Sequence, residues 1–411
     1  MQFAPWATAL IASVAAGMLV CASFVARRRA SAASTVAAAF SLTVAFIACR
    51  VIWNAAGRLD YLVASIALSI AACGGGYALG AAIVSSLPAP RPPSTPLPVG
   101  RATPGTHVVL LSDEEPAQYD PAMVRAGLER YIDSDIELPP EVARPFIYAS
   151  ERSRYRRMGG SPARATVRAV AISLEARVRA EGTADDVSVA FCVGTPSLRE
   201  VVAGIVGAGG RRIVVVPLSA AWSRAFAGAV DSLPLAPLAA QGVVVETAQP
   251  LWASTELSVM LAGRVLTSLG EDRGEDGIVL VSEGDPWEHA RAHAEYREQL
   301  TFLIQRVRAE LIRSGVAPDR VRRAWLWFES PDVPEAVRHL TAVGARNIVL
   351  LPVTFPTQTI STMVDLAYAA EGAASDTGAA VTVIAPWGDD PAVAEALASA
   401  VADVVEGPAA G

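Results

Sequence analysis

Hydrophobic positions fall into two regimes along the chain. The first 90 residues carry three long unbroken apolar runs, about residues 5–25, 31–52 and 62–87. At 1.5 Å per residue the runs are about 30–40 Å long as helices, enough to cross the hydrocarbon core of a bilayer. Arg27-Arg28-Arg29 follows the first run directly. A secretory signal would carry its basic cluster before the apolar region, so these runs read as three membrane spans. The excess of positive charge places the Arg27–Arg29 loop in the cytoplasm. The segment after the third span then emerges on that same side, where Arg91 and Arg101 agree. The expected location is the inner (plasma) membrane, multi-pass, with the soluble C-terminal part in the cytoplasm.

Beyond a proline-rich linker at residues 88–105 the pattern changes to short β-branched runs alternating with longer amphipathic ones. Two short runs look alike. Gly210-Arg211-Arg212-Ile213-Val214-Val215-Val216-Pro217-Leu218 is answered by Ala345-Arg346-Asn347-Ile348-Val349-Leu350-Leu351-Pro352-Val353. Each is too short and too uniformly apolar for a helix. Each reads as a central strand of a parallel sheet, buried on both faces and stopped by a proline that cannot donate to the ladder. Pro196 and Pro331 are 135 residues apart, and so are Pro217 and Pro352. Two landmarks with equal spacing indicate a duplicated unit.

The first copy predicts strands at 107–111, 187–193, 210–217 and 242–246, with helices near 121–133, 163–180 and 198–208. The second predicts strands at 278–281, 324–328, 345–352 and 380–384, with helices near 294–314, 334–343 and 391–405. The fold class is therefore α/β: two similar Rossmann-like βα lobes with parallel sheets facing a central cleft, preceded by three transmembrane helices. The expected domains are residues 1–87, the linker 88–105, a first lobe at 106–250 and a second at 251–411. Ligands of open α/β sheets bind at the carboxyl edge, so the loops after the strands are where chemistry is expected.

Composition narrows the function. A net charge of −7 does not favour nucleic acid. All 34 Lys-plus-Arg positions are Arg, which removes any lysine-based Schiff-base or P-loop mechanism. Three of the four cysteines (Cys21, Cys49, Cys73) lie in the apolar runs and Cys192 stands alone, so neither a disulfide framework nor a four-cysteine zinc or Fe–S site is expected.

Several motifs, in order, resemble the ferrochelatase family over about residues 106–408. Tyr155 to Pro162, with Gly159-Gly160-Ser161-Pro162, resembles the family's "Tyr, Gly-Gly, Ser-Pro" element. Pro217-Leu218 followed by Trp222-Ser223 resembles its aromatic-Ser loop. Pro352 to Asp365 resembles its "Pro-x-x-Phe" element, and Tyr296 to Leu300 its "aromatic, x, acid, Gln-Leu" stretch. The resemblance implies a two-lobed fold that inserts ferrous iron into a porphyrin. It also implies a catalytic histidine after the first strand of the second lobe and a glutamate in a "His-x-Glu" motif after the last signature strand. Here Glu283 stands at the first position and Ser361 at the second, with Thr359 in place of the motif's histidine. Cys192 stands where the family's first-lobe arginine is expected.

The resemblance thus implies a tetrapyrrole- and metal-binding cleft in which insertion is weak or lost. The alternatives are an active ferrochelatase using Glu283, or a chelatase for another metal and tetrapyrrole. The family positions Glu283 and Ser361 are the catalytic candidates, and Glu283, His289 and His293 the metal candidates. The two histidines would share one face if helical, and as a solvated helix face or loop they would have no such role. Tyr155, Met158, Ser161, Trp222, Ser223, Phe355 and Thr359 are the porphyrin-binding candidates. Aromatic side chains at these positions, with Trp287, equally suit a core, and Thr359 and Ser361 equally suit a helix start. Asp113, Glu114 and Glu115 would attract cations or form a solvated turn. Arg152, Arg154, Arg156 and Arg157 would pair with propionates, line a membrane surface, or remain solvated. No resident cofactor is expected; Fe2+ enters as substrate or ligand, and the partners expected are a porphyrin or other tetrapyrrole, a divalent metal and the membrane.

Overall fold

The computed structural model describes residues 3–25, 28–56, 59–86, 105–113, 115–132, 143–269, 273–284 and 294–407. It divides into two compact units, residues 1–91 with 118–159, and residues 92–117 with 160–411. Residues 118–159, which the repeat assigns to the first lobe, thus group with the N-terminal helices.

In the first unit the apolar runs form α1 (Phe3–Val25), α2 (Arg28–Ala56) and α3 (Leu59–Ser86). Three windows, Ala7–Val25, Ser34–Val51 and Val63–Ile83, are long and apolar enough to cross a membrane. Between α1 and α3 two glycines allow the backbones to touch. A Cβ on Gly17 would lie 1.9 Å from the Cys73 carbonyl oxygen, and one on Gly76 2.1 Å from that of Val14. Close approach through small residues is how apolar helices gain packing where burial from water offers no drive. Two shorter helices complete the unit, α4 (Pro121–Ile132) and α5 (Arg144–Met158). Helix α5 was expected only as a polar, arginine-rich stretch. Its signals are a proline in the first turn, Pro145, and a left-handed Gly159 at φ 77° that ends it.

In the second unit the duplication is explicit. The first sheet has the order β2-β1-β3-β4, built from β1 (Thr106–Ser112), β2 (Asp186–Phe191), β3 (Arg212–Pro217) and β4 (Val244–Thr247). The second has the order β6-β5-β7-β8, from β5 (Asp276–Ser282), β6 (Val321–Trp325), β7 (Asn347–Pro352) and β8 (Ala380–Val383). All pairings are parallel. The two signature strands, β3 and β7, are interior in their sheets, and Ile213–Val216 and Ile348–Leu351 are buried.

The connecting helices pack on the sheet faces: α6 (Ala163–Glu181), α7 (Leu198–Gly207), α8 (Arg224–Asp231), α9 (Leu235–Ala240), α10 (Thr255–Ser268), α11 (Ala294–Arg313), α12 (Val333–Ala342), α13 (Leu366–Thr377) and α14 (Pro391–Val405). Equivalent loops repeat down to single bonds. Phe191 N–H donates to Pro196 O and Trp325 N–H to Pro331 O, each at 2.9 Å. Both prolines follow cis peptide bonds, and Ser197–Glu200 and Asp332–Glu335 form matching capping boxes on α7 and α12. The Glu335 carboxyl sits below its usual range because it accepts the Asp332 backbone N–H and then the Ser330 hydroxyl.

One strand lies earlier than expected. The apolar run 324–328 predicts a strand there, but β6 is Val321–Trp325. It is an edge strand, so it accommodates half-buried Arg322 and Arg323, and Trp327 and Phe328 fall in the loop beyond it.

Replacing Gly76 by leucine is expected to separate α1 from α3 and cost about 1–3 kcal/mol, the range for overpacking a close contact. Thermal unfolding of the detergent-solubilised protein checks this, and an unchanged midpoint would contradict the close approach.

Candidate functional site

The carboxyl edges of both sheets belong to one unit, and two links tie them. The first comes from α11. Buried Gln299 accepts the Trp222 N–H at 2.8 Å through Oε1, and its Nε2 donates to Glu295 Oε1 at 3.0 Å. Trp222 follows β3, and its indole Nε1 donates to Gln249 Oε1 at 3.3 Å. Its neighbour Ser223 caps α8, accepting the Phe226 N–H at 3.4 Å.

The second link is a carboxylate. Glu115, in the loop after β1, accepts the Ser161 hydroxyl through Oε2 and the Ile360 N–H at 2.9 Å through Oε1. Ser161 begins α6 and Ile360 precedes the turn that leads into α13. Glu115 is therefore an acceptor that joins the first lobe to the last signature loop. An anion suits this place, because the first N–H groups of a helix lack intrahelical partners.

The loop after β7 holds Thr359 and Ser361. Thr359 and Thr362 bond reciprocally, Thr359 N–H to Thr362 Oγ1 at 2.9 Å and Thr362 N–H to Thr359 Oγ1 at 3.4 Å. Ser361 opens a π-turn, Ser361–Asp365, in which its carbonyl accepts the Leu366 N–H. Such turns recur at functional sites. Phe355 is only 4% exposed and packs with Leu366 and Ala370, while Trp387, fully buried, donates its indole N–H to Val353 O at 2.8 Å. The Phe355 ring is core.

The loop after β5 holds Glu283. Its side chain is exposed, and its backbone N–H donates to Thr354 Oγ1 at 2.9 Å, which ties the β5 and β7 ends together. Gly284 follows for a steric reason: a Cβ there would lie 1.7 Å from the Trp327 carbonyl oxygen. That same carbonyl accepts the Glu329 N–H at 2.8 Å, closing a three-residue turn around Phe328. Phe328 has φ 62°, the positive-φ non-glycine residue of the described chain, and is 62% exposed. A bulky side chain in that region costs about 1–3 kcal/mol.

Beside this turn, Arg297 pairs with Glu329 at 2.5 Å. Arg323 lies 3.8 Å above the Trp325 ring, and burial pushes its guanidinium below the ordinary value against the opposing pull of the Glu329 carboxylate.

The remaining candidates are placed as follows. His289, His293, Trp287 and Glu114 lie outside the described residues. Ser161 is buried and Met158 half-buried. Tyr155 is buried in the first unit, edge-on to Tyr119 at 6.2 Å. Among the described residues no cluster of three or more His, Cys, Asp or Glu side chains assembles. Gln299 and Phe328 were not among the predicted site residues. Gln299 sits in the "aromatic, x, acid, Gln-Leu" stretch and could have been found there, whereas nothing local marks Phe328.

Two parallel sheets of matching order, with polar loops gathered at their carboxyl edges, define a chelatase-like α/β protein. The chain belongs to the ferrochelatase family, whose sequence model, described as Ferrochelatase, matches residues 142–404. Among solved structures it is similar to the sirohydrochlorin chelatase SirB from Bacillus subtilis subspecies spizizenii in complex with cobalt. That match has 12% identity and a TM-score of 0.45, and covers 74% of this chain and 96% of that one. SirB from Bacillus subtilis with Fe3+ matches at 12% identity and TM-score 0.44, over 73% and 95%. A multi-domain protein of Deinococcus radiodurans with structural similarity to chelatases matches at 18% identity and TM-score 0.42, over 72% and 54%. No curated protein sequence matches the chain.

Phe328→Gly is expected to raise stability by about 1 kcal/mol, because glycine adopts this φ without steric conflict. Glu115→Ala is expected to lower it by about 1–3 kcal/mol, the value of hydrogen bonds to a charged group. Denaturant unfolding followed by tryptophan fluorescence measures both, and a destabilised Phe328→Gly variant would contradict the strain.

Proposed function

We propose that this chain is a membrane-anchored, ferrochelatase-like protein of haem or tetrapyrrole metabolism. It binds a porphyrin, a divalent metal or both in the cleft between the lobes, and its metal insertion is weak or lost. The observation that carries this reading is the pair of side chains at the family's two catalytic positions, Glu283 and Ser361. Insertion needs a base for the pyrrole N–H protons and a ligand that holds the metal briefly. The Ser361 hydroxyl is no base at neutral pH. The exposed Glu283 carboxylate is a harder ligand than imidazole and a poorer match to a borderline metal. The frame around these residues is nonetheless complete, with both sheet edges tied through Gln299 and Glu115.

A second reading keeps the activity. An exposed carboxylate at the end of β5, its backbone held by Thr354, could receive a metal or a proton in place of histidine. Under this reading the protein is a ferrochelatase, or a chelatase for another metal, that works through Glu283.

The three apolar helices support the anchor, and the positive-inside rule favours lobes in the cytoplasm.

The test uses the full-length protein in detergent. Porphyrin binding is followed by the Soret shift, and Fe2+ or Co2+ is then added without oxygen. The expected result is a Soret shift with metalloporphyrin formation near the protein-free rate. Formation well above that rate, lost in Glu283→Ala, would establish the second reading, and no Soret shift at all would sink both. For topology, a C-terminal reporter is expected to be active only in the cytoplasm, and periplasmic activity would overturn the orientation.

A further inference from the structure

The end of α1 is finished by side chains from far along the chain. Arg152 on α5 donates through Nη1 to the Ser23 carbonyl at 2.6 Å, and Tyr119 donates its hydroxyl to the Val25 carbonyl at 2.8 Å. The last carbonyls of a helix lack intrahelical partners, and a cation there also complements the helix dipole. Burial pushes Tyr119 far above its ordinary range, so it stays a neutral donor. Farther up α5, the Phe146 ring lies 5.0 Å from Phe24 of α1 and 6.3 Å from Tyr77 of α3. Helix α5 is therefore held at the end of the apolar bundle.

Its outer stripe is graded. Phe146, Ser150, Ser153 and Arg157 recur at helical spacing and are all exposed, with exposed Arg156 on the flank. The opposite side carries buried Tyr148 and Tyr155. Phe146 is 56% exposed although it touches two helices of the bundle. Phe146 seated against the apolar bundle at one end and two guanidiniums in the last turn suit the boundary between acyl chains and anionic headgroups.

We propose that α5 is an interfacial helix that rests on the phosphate-bearing headgroups of anionic phospholipids, with Phe146 at the acyl boundary and Arg156 and Arg157 on the phosphates. The proposal rests on the reading that α1–α3 cross a membrane. The occupant is a lipid surface because the stripe is continuous with the bundle's own apolar surface through Phe146. A soluble anion would give the aromatic end nothing to bury against.

The test reconstitutes the full-length protein in nanodiscs of phosphatidylcholine with phosphatidylglycerol. A photo-reactive benzoylphenylalanine is placed at residue 146 or, as a control, at Ile172, exposed on α6. A lipid adduct is expected at 146 and not at 172. Spin-labelled phosphatidylglycerol is expected to be preferred over the choline lipid, by about fivefold for each arginine, and R156E/R157E is expected to abolish that preference. Inorganic phosphate at millimolar concentration should leave the preference intact; its loss would point to a soluble anion site and overturn the proposal. Absence of the adduct at 146, or a preference that survives charge reversal, would also overturn it. If alkaline carbonate extracts the protein from membranes, it is the anchor reading that fails, so the two failures are distinguishable.

Discussion

A strand in the middle of a parallel sheet has no wet face, and this constraint organises the second unit. Val108–Leu111, Ile213–Val216, Ile278–Val281 and Ile348–Leu351 are buried on both sides, so no ionisable group can be placed along them without being stranded from water. Chemistry is displaced to where the strands stop. Leu218 N–H donates to Leu111 O and Val353 N–H to Val281 O, each at 2.8 Å, so the ladders run on by one bond past Pro217 and Pro352. The chain then turns into the loops that carry Trp222, Thr359 and Ser361. The frame decides where these loops begin, while their residues decide what the protein can do.

This separation explains how the site can keep its shape while its chemistry changes. The bonds that place the β5 loop are made by backbone: Glu283 N–H to Thr354 Oγ1, and the Trp327 carbonyl against the bare Cα of Gly284. Neither depends on the side chain at 283. The bond from residue 283 uses its main-chain N–H, which a histidine at this position would also supply. The same holds at Ser361, whose carbonyl completes the π-turn while its hydroxyl is not needed for it. Positions of this kind are where a family can change or lose an activity without losing the fold.

The same distinction governs what was legible in the sequence. Strands β3 and β7 and their interior placement follow from burial on both faces, which demands apolar residues at every position. The edge strand β6 was misplaced because an edge tolerates Arg322 and Arg323, so its pattern is mixed and the apolar run beyond it misleads. The links between the lobes were not legible. Glu115 and Ile360 are 245 residues apart, Gln299 and Trp222 77 apart, and no local pattern encodes such a pairing. Phe355 reads as an aromatic at a sheet edge, yet it is buried in one cluster with Leu366 and Ala370 of α13. Exposure at an edge depends on what packs there from elsewhere, and a single stretch of sequence does not carry that information.

The first unit sets a similar demand at the end of a helix. Ser23 and Val25 lie in the last turn of α1, whose final carbonyls have no intrahelical partner. Arg152 and Tyr119 supply the donors, from segments that follow β1 in sequence. Burial, and then the charge of Arg156, push the Arg152 guanidinium below its ordinary value, so holding it costs free energy that its bond to Ser23 must offset. Helix α5 then ends at Gly159, immediately before the Gly160-Ser161-Pro162 stretch that opens α6, and Ser161 donates to the carboxylate that caps the last signature loop. The finishing of α1 and the linking of the two lobes are thus encoded by neighbouring stretches of one chain.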